Sequence, residues 1–175
     1  MADIPDGIVL RRNRDLEGRL WHIWVRRALL AVPFGAALVL ALFNVFGQRP
    51  QTQSATSPEA SLKLYAPARV RGGLLWQARF TIEATQDVKD AVLELGPGWL
   101  EGMTVNTIEP SPIGEGSSNG KLTLDLGHIP QGKKYLLFMQ FQVNPTNVGR
   151  RTRTLALYDG KTRLLSLDQT VTIFP

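Results

Sequence analysis

The chain has 175 residues, a formal net charge of +5 and no cysteine. The missing thiols exclude disulfide staples, thiolate metal sites, a cysteine nucleophile and a lipobox-type lipid anchor, so any folded part must hold by its core alone. Once a leading tail and one long apolar run are set aside, the length leaves room for one ordinary domain of about a hundred residues.

Residues 1–14, MADIPDGIVLRRNR, contain Pro5 and Gly7 and sustain no period, which predicts a disordered cytoplasmic tail. Over residues 15–27 the apolar positions Leu16, Leu20, Ile23 and Trp24 recur at helical spacing, which predicts a juxtamembrane amphipathic helix. Residues 28–47, ALLAVPFGAALVLALFNVFG, carry no charge. About 20 helical residues match the roughly 30 Å hydrocarbon core of a bilayer, so this run is the predicted transmembrane helix. Trp21 and Trp24 suit the headgroup level and Arg26 and Arg27 its phosphates, which makes these four the expected membrane-interface residues.

Six Arg precede the run, whereas Arg49 alone lies in the first fifteen residues after it. The positive-inside rule then puts the N-terminus in the cytoplasm and the C-terminal part outside, a single-pass plasma-membrane topology. The apolar run is longer than that of a cleavable signal peptide and no A-x-A-like site follows Gly47, which favours an uncleaved signal anchor. Within the run Pro33 should kink the helix, and Asn44 should reach the interface or bond another helix. The small-xxx-small pairs Ala31/Gly35 and Ala37/Ala41 make a homo-oligomer through the helix a candidate assembly.

Residues 48–61, QRPQTQSATSPEAS, are polar and aperiodic and are expected to be a linker. From Leu62 the period changes to two. Leu74, Trp76, Ala78, Phe80 and Ile82 alternate with polar or exposed positions, and similar runs follow at Leu62 and Leu64, 91–95, 122–126, 135–143, 151–158 and 165–173. Turn signals separate them, including Gly96-Pro97-Gly98, Asn119-Gly120, Asn147-Val148-Gly149 and Asp159-Gly160. The last is expected as the centre of a type I′ hairpin. No convincing helix lies beyond residue 60, so residues 62–175 are predicted to be an extracytoplasmic, antiparallel immunoglobulin-like β-sandwich of about seven or eight strands.

The segment QFQVNPTNVGRRTRTLALYDGKTRLLSLDQTVTI, with turns at Asn147–Gly149 and Asp159-Gly160, resembles the closing strands of bacterial surface domains of the immunoglobulin-like superfamily. The whole layout is similar to that of uncharacterised bacterial single-pass membrane proteins with a small immunoglobulin-like outer domain. The resemblance implies a fold and carries no activity.

Chemistry-bearing patterns are few. Gly116-Ser117-Ser118-Asn119-Gly120 fits G-x-S-x-G, and Ser118 to Lys121 fits S-x-x-K, but the strand-then-helix or helix context that each needs is missing. His22 and His128 fall on opposite sides of the predicted span, and His128 is expected to bond Asp125. No metal-ligand spacing and no cofactor motif is present. The salient surface feature is basic: Arg150, Arg151 and Arg153, joined by Lys161 and Arg163 across the hairpin, as either a binding patch or edge protection. An outer location without a strip of stacking aromatics excludes nucleic acid. Trp76, Phe80, Tyr135 and Phe141 fall on inward positions, whereas Trp99 in GPGWLEGM either caps the sandwich or is offered to a partner. The expected function is therefore a non-enzymatic, membrane-anchored module that contacts the lipid bilayer and a protein of the membrane or envelope. The alternative is a module that binds a small ligand, lipid or polysaccharide through end loops 96–102 and 111–120.

Overall fold

The computed structural model describes residues 20–45 and 47–175 and divides after Val45 into two compact units. The predicted tail at 1–14, residues 15–19 of the juxtamembrane segment and the side chain of Trp21 lie outside the described residues.

The first unit contains one helix, α1 (Leu20–Leu42), of which His22–Leu42 is long and apolar enough to cross a membrane. It runs through the expected boundary at residue 28 and stops five residues before Gly47. The stop has a local cause. Val45 N donates to Leu40 O and Asn44 N to Ala41 O, both within 3.0 Å, while Asn44 adopts a φ of 52°. This is the Schellman arrangement, with Asn in the left-handed position that usually takes Gly. Asn44 therefore acts as a helix cap. Pro33, with no backbone donor, removes one i→i−4 bond inside α1.

The second unit is a two-layer sandwich of eleven strands: β1 (Pro50–Thr56), β2 (Ala60–Pro67), β3 (Arg69–Arg71), β4 (Leu75–Ala84), β5 (Val88–Leu95), β6 (Met103–Glu109), β7 (Gly114–Ser118), β8 (Lys121–Ile129), β9 (Lys134–Val143), β10 (Gly149–Asp159) and β11 (Thr162–Phe174). Sheet I has the order β1-β2-β4-β9-β6 and sheet II the order β3-β11-β10-β5-β8-β7. Strands β2, β4, β9 and β6 occupy the A, B, E and D places of an immunoglobulin-like sandwich, and β5, β10 and β11 the C, F and G places, in matching chain order. The β7–β8 hairpin is an insertion that widens sheet II. All pairings are antiparallel except β3 with β11, which run parallel because the chain changes sheets at Pro67-Ala68.

Four strands carry no clear apolar alternation, and the period-two reading passes over them: β1, β3, β6 and β7. The expected linker at 48–61 is corrected here. Pro50–Thr56 pairs with β2 from Pro50↔Pro67 to Thr56↔Ser61, closed by a turn in which the Ser57 hydroxyl accepts from Glu59 N and Ala60 N. Its Gln, Ser and Thr composition is what an edge strand with one wet face and one only partly buried face tolerates. The hairpins separate as well. Asn119 and Gly120 both have positive φ (52° and 74°) between the paired Ser118 and Lys121, as type I′ requires. At the other hairpin Asp159 is still paired, with Thr162, so the two loop residues are Gly160 and Lys161, and positive φ occurs at Gly160. That is the II′ requirement, met one residue later than expected.

Between the sheets lies one apolar core. Trp76 stacks on Phe141 with centroids 4.5 Å apart, and Trp99 packs on Phe80 and Phe141 at 5.6 and 5.5 Å. Leu62, Leu64, Ile82, Leu93, Leu124, Leu137 and Leu157 complete it, all without exposure. Tyr135 sits half-buried against this core, and burial raises its phenol above the usual value.

Candidate docking face

The expected basic patch does not assemble. Along β10 the inward positions run Arg151, Arg153, Leu155, Leu157, so two of its cations point between the sheets. Arg153 is fully buried. Its guanidinium lies 4.3 Å from the Trp76 ring centre and 5.0 Å from that of Trp99, and Nη2 donates to the Met103 sulfur at 3.2 Å. Nε and Nη1 have no hydrogen-bond partner. Desolvation lowers the Arg153 pKa to about 9, which leaves it charged at neutral pH. Opposite it in register is Gln169, also buried, whose amide donates to Ala66 O at 3.4 Å.

Arg151 is half-buried and donates to Asn147 Oδ1 at 3.3 Å, tying β10 to the preceding loop. Arg150, Lys161 and Arg163 are exposed. Arg150 faces Thr172, and Arg163 faces Tyr158, eight residues along β10, a separation of roughly 26 Å at strand rise. These cations belong to opposite ends of the sandwich.

Trp99 is likewise removed from the set of surface residues, being 0% exposed. Its indole N–H donates to Thr154 O at 3.1 Å, and Gly96 N donates to the same carbonyl at 2.8 Å. Gly98, at φ 90°, lies so close to β10 that a Cβ would run into the Thr152 carbonyl oxygen. The Gly-Pro-Gly turn is thus the clamp that presses Trp99 into the core. His128 pairs with Asp87 at 2.8 Å rather than with Asp125, whose carboxylate instead accepts from Gly127 N. The G-x-S-x-G match at Gly116–Gly120 and the S-x-x-K match at Ser118–Lys121 fall on the end of β7, the I′ turn and the first residue of β8. In α1, Trp24 is 63% exposed with Arg27 5.6 Å over its ring, and no group of metal-competent side chains occurs among the described residues.

A candidate docking surface lies elsewhere, on the outer face of sheet I. Outward positions of four neighbouring strands form one cross-strand row, Tyr65–Arg79–Phe138–Glu109. The Arg79 guanidinium stands 4.8 Å over the Tyr65 ring. A second row, Gln77–Gln140–Thr107, runs beside it. Two shallow depressions of about 370 and 230 Å³ share Gln77 and Phe138: one extends to Thr107, Glu109 and Gln140, the other to Gln48, Pro50, Tyr65, Pro67 and Arg79. Leu75 and Leu136 add half-exposed apolar area. Aromatic rings, a guanidinium and primary amides spread over a nearly flat sheet give contact area and many weak donors and acceptors. Sequence reading passed over this face because its residues occupy the outward half of alternations judged by their inward half.

Neither a family model nor a curated protein matches the chain. Among solved structures the chain is similar to CaCohA2 of Clostridium acetobutylicum, with 14% identity over 68% of this chain and 93% of that one and a TM-score of 0.48. It is similar also to a non-cellulosomal cohesin of the archaeon Archaeoglobus fulgidus, with 17% identity, coverage of 63% and 88% and a TM-score of 0.40. A third is a CARDB domain of Pyrococcus furiosus solved in complex with di-metal ions, with 13% identity, coverage of 70% and 94% and a TM-score of 0.42. Likeness at this level carries no functional argument.

Proposed function

We propose that this chain is a non-enzymatic docking module held at a membrane by α1, with its N-terminus in the cytoplasm and its sandwich outside, and that the outer face of sheet I receives another membrane or envelope protein. The observation that carries the reading is the outward row of exposed Tyr65 and Arg79 and half-buried Phe138, flanked by Leu75 and Leu136. Tyr, Arg and Phe are the side chains over-represented at the centres of protein interfaces, where large area comes with few rotatable bonds. A shallow, broad face suits a protein surface better than a small molecule, which needs concave enclosure. The end-loop alternative loses its aromatic platform, since Trp99 belongs to the core.

The test is site-specific photocrosslinking in native membranes, with the photoreactive residue placed at Gln77 or, as a control on sheet II, at Ser166. A discrete adduct from Gln77 that is absent from Ser166 and lost on Tyr65→Ala supports the reading. Equal adducts from both positions, or none from Gln77, overturns it.

A further inference from the structure

The two ends of the sandwich differ in charge. One end gathers the start of β1, the β2–β3–β4 connection, the 96–102 and 144–148 loops, and the end of β11. Gln48 Nε2 donates to Leu75 O, Ala68 N to Arg49 O and Gly73 N to Val143 O, while Gly72 lies against Pro145. Arg69 is level with Thr172, and Thr172 with Arg150, so these two arginines share one row on sheet II. Arg49, Arg69, Arg71 and Arg150 are all exposed at this end, and Glu101 is the acidic side chain among its described residues. Leu74 and Val148, each 47% exposed, lie in loops of the same end. The opposite end is mixed, with Asp87, Asp90 and Asp159 among Lys89, Lys133, Lys134, Lys161 and Arg163, and with a His128–Asp87 pair.

We infer that the arginine-rich end is a phospholipid-contact surface, with Arg49, Arg69, Arg71 and Arg150 binding anionic headgroup phosphates and Leu74 and Val148 entering the headgroup layer. The inference rests on the membrane reading of α1. Two observations choose lipid as the occupant. The charge is almost wholly guanidinium, the cation whose planar fork matches a phosphate, and it shares this end with exposed apolar side chains, which is how interfacial segments combine electrostatic attraction with shallow burial. Gln48, at this same end, follows the last residue of α1 by six positions, a reach of at most about 20 Å.

The absence of cysteine makes the test direct, since one introduced thiol is a unique label. The full chain, as Leu74→Cys, Val148→Cys or Lys161→Cys, carries an environment-sensitive dye in nanodiscs of phosphatidylcholine with or without phosphatidylglycerol. Expected is a blue shift, with quenching by brominated acyl chains, at 74 and 148 but not at 161, in the anionic discs. The effect should fall at least severalfold in neutral discs or after Arg71→Gln with Arg150→Gln. Labels at 74 and 148 that match 161 overturn the inference, as does a shift indifferent to lipid charge. A shift seen in native membrane vesicles but not in lipid-only discs also overturns it, because an acidic protein is then the occupant. Failure of the chain to enter discs refutes the anchoring reading itself, and with it this inference.

Discussion

Arg153 and Arg79 present the same chemistry, a guanidinium against an aromatic ring, in opposite settings. Arg153 is buried against both Trp76 and Trp99 with two of its nitrogens unpaired, whereas Arg79 lies over Tyr65 on an open face. Inside, no water competes, so the rings and the Met103 sulfur must stand in for hydration, and the desolvation cost shows as a pKa lowered to about 9. Outside, Arg79 keeps its hydration until something displaces it. A buried arginine–tryptophan stack is therefore part of the fold, and an exposed arginine–tyrosine stack is available to a partner.

Breaking the buried stack should have the largest effect. Trp99→Ala removes the ring that touches Phe80, Phe141 and Trp76 and takes one of its two ring contacts from Arg153. The expected loss is about 3–5 kcal/mol, measured by urea unfolding followed by far-ultraviolet circular dichroism. Gly98→Ala should cost about 1–3 kcal/mol by the same assay, since it needs positive φ and clear space beside Thr152 O. A Gly98→Ala protein as stable as the wild type would mean that the turn does not clamp Trp99.

Arg153 itself is expected to behave differently from its cage. It has no carboxylate to offset desolvation, so Arg153→Met, which fills similar volume without charge, should leave stability equal to the wild type or raise it by up to about 2 kcal/mol. A loss beyond about 2 kcal/mol would show that the two ring contacts outweigh the desolvation. The pH dependence sharpens the point. With a folded pKa near 9, well below that of the unfolded chain, the unfolded chain binds the extra proton above pH 9. Wild-type stability should therefore gain on Arg153→Met as pH rises through 9, and the difference should be constant below pH 8, where both states are protonated. Denaturation of the pair in parallel cancels the titration of Lys and Tyr.

The same contrast explains what could be read without coordinates. Seven strands were legible because Leu, Val, Ile and Phe sit at every second position, and alternation survives any detail of packing. β1 was not, because QTQSAT on an edge turns only Gln53 and Ala55 partly inward, too little apolar contrast to betray its period. Arg153 was misplaced for a different reason. The series Arg151, Arg153, Leu155, Leu157 puts its cations in phase with the core, but a charge run is ordinarily a solvated face, and nothing in the sequence revealed that two tryptophans converge on that position. Trp99 was ambiguous because three glycines around it erase periodicity, and its place depends on contacts with Thr152 and Thr154 more than fifty residues away. The outer face of sheet I was hidden by averaging, since Tyr65, Gln77, Arg79 and Phe138 come from three strands and become neighbours only through register.

The smallest stability effect is expected where the functional effect should be largest. Arg79 is exposed, its partner ring is exposed, and its strand neighbours Ala78 and Phe80 carry the packing from the opposite face. Arg79→Ala should therefore shift unfolding free energy by no more than about 0.5 kcal/mol, the range of ordinary surface changes. Crosslinking from Gln77 should nevertheless drop severalfold, because a guanidinium stacked on tyrosine offers both area and donors to an incoming surface. Arg79→Lys, which keeps the charge but loses the planar fork, separates the two contributions: adduct yield near wild type would assign the contact to charge alone, and yield near that of Arg79→Ala would assign it to the stacked geometry.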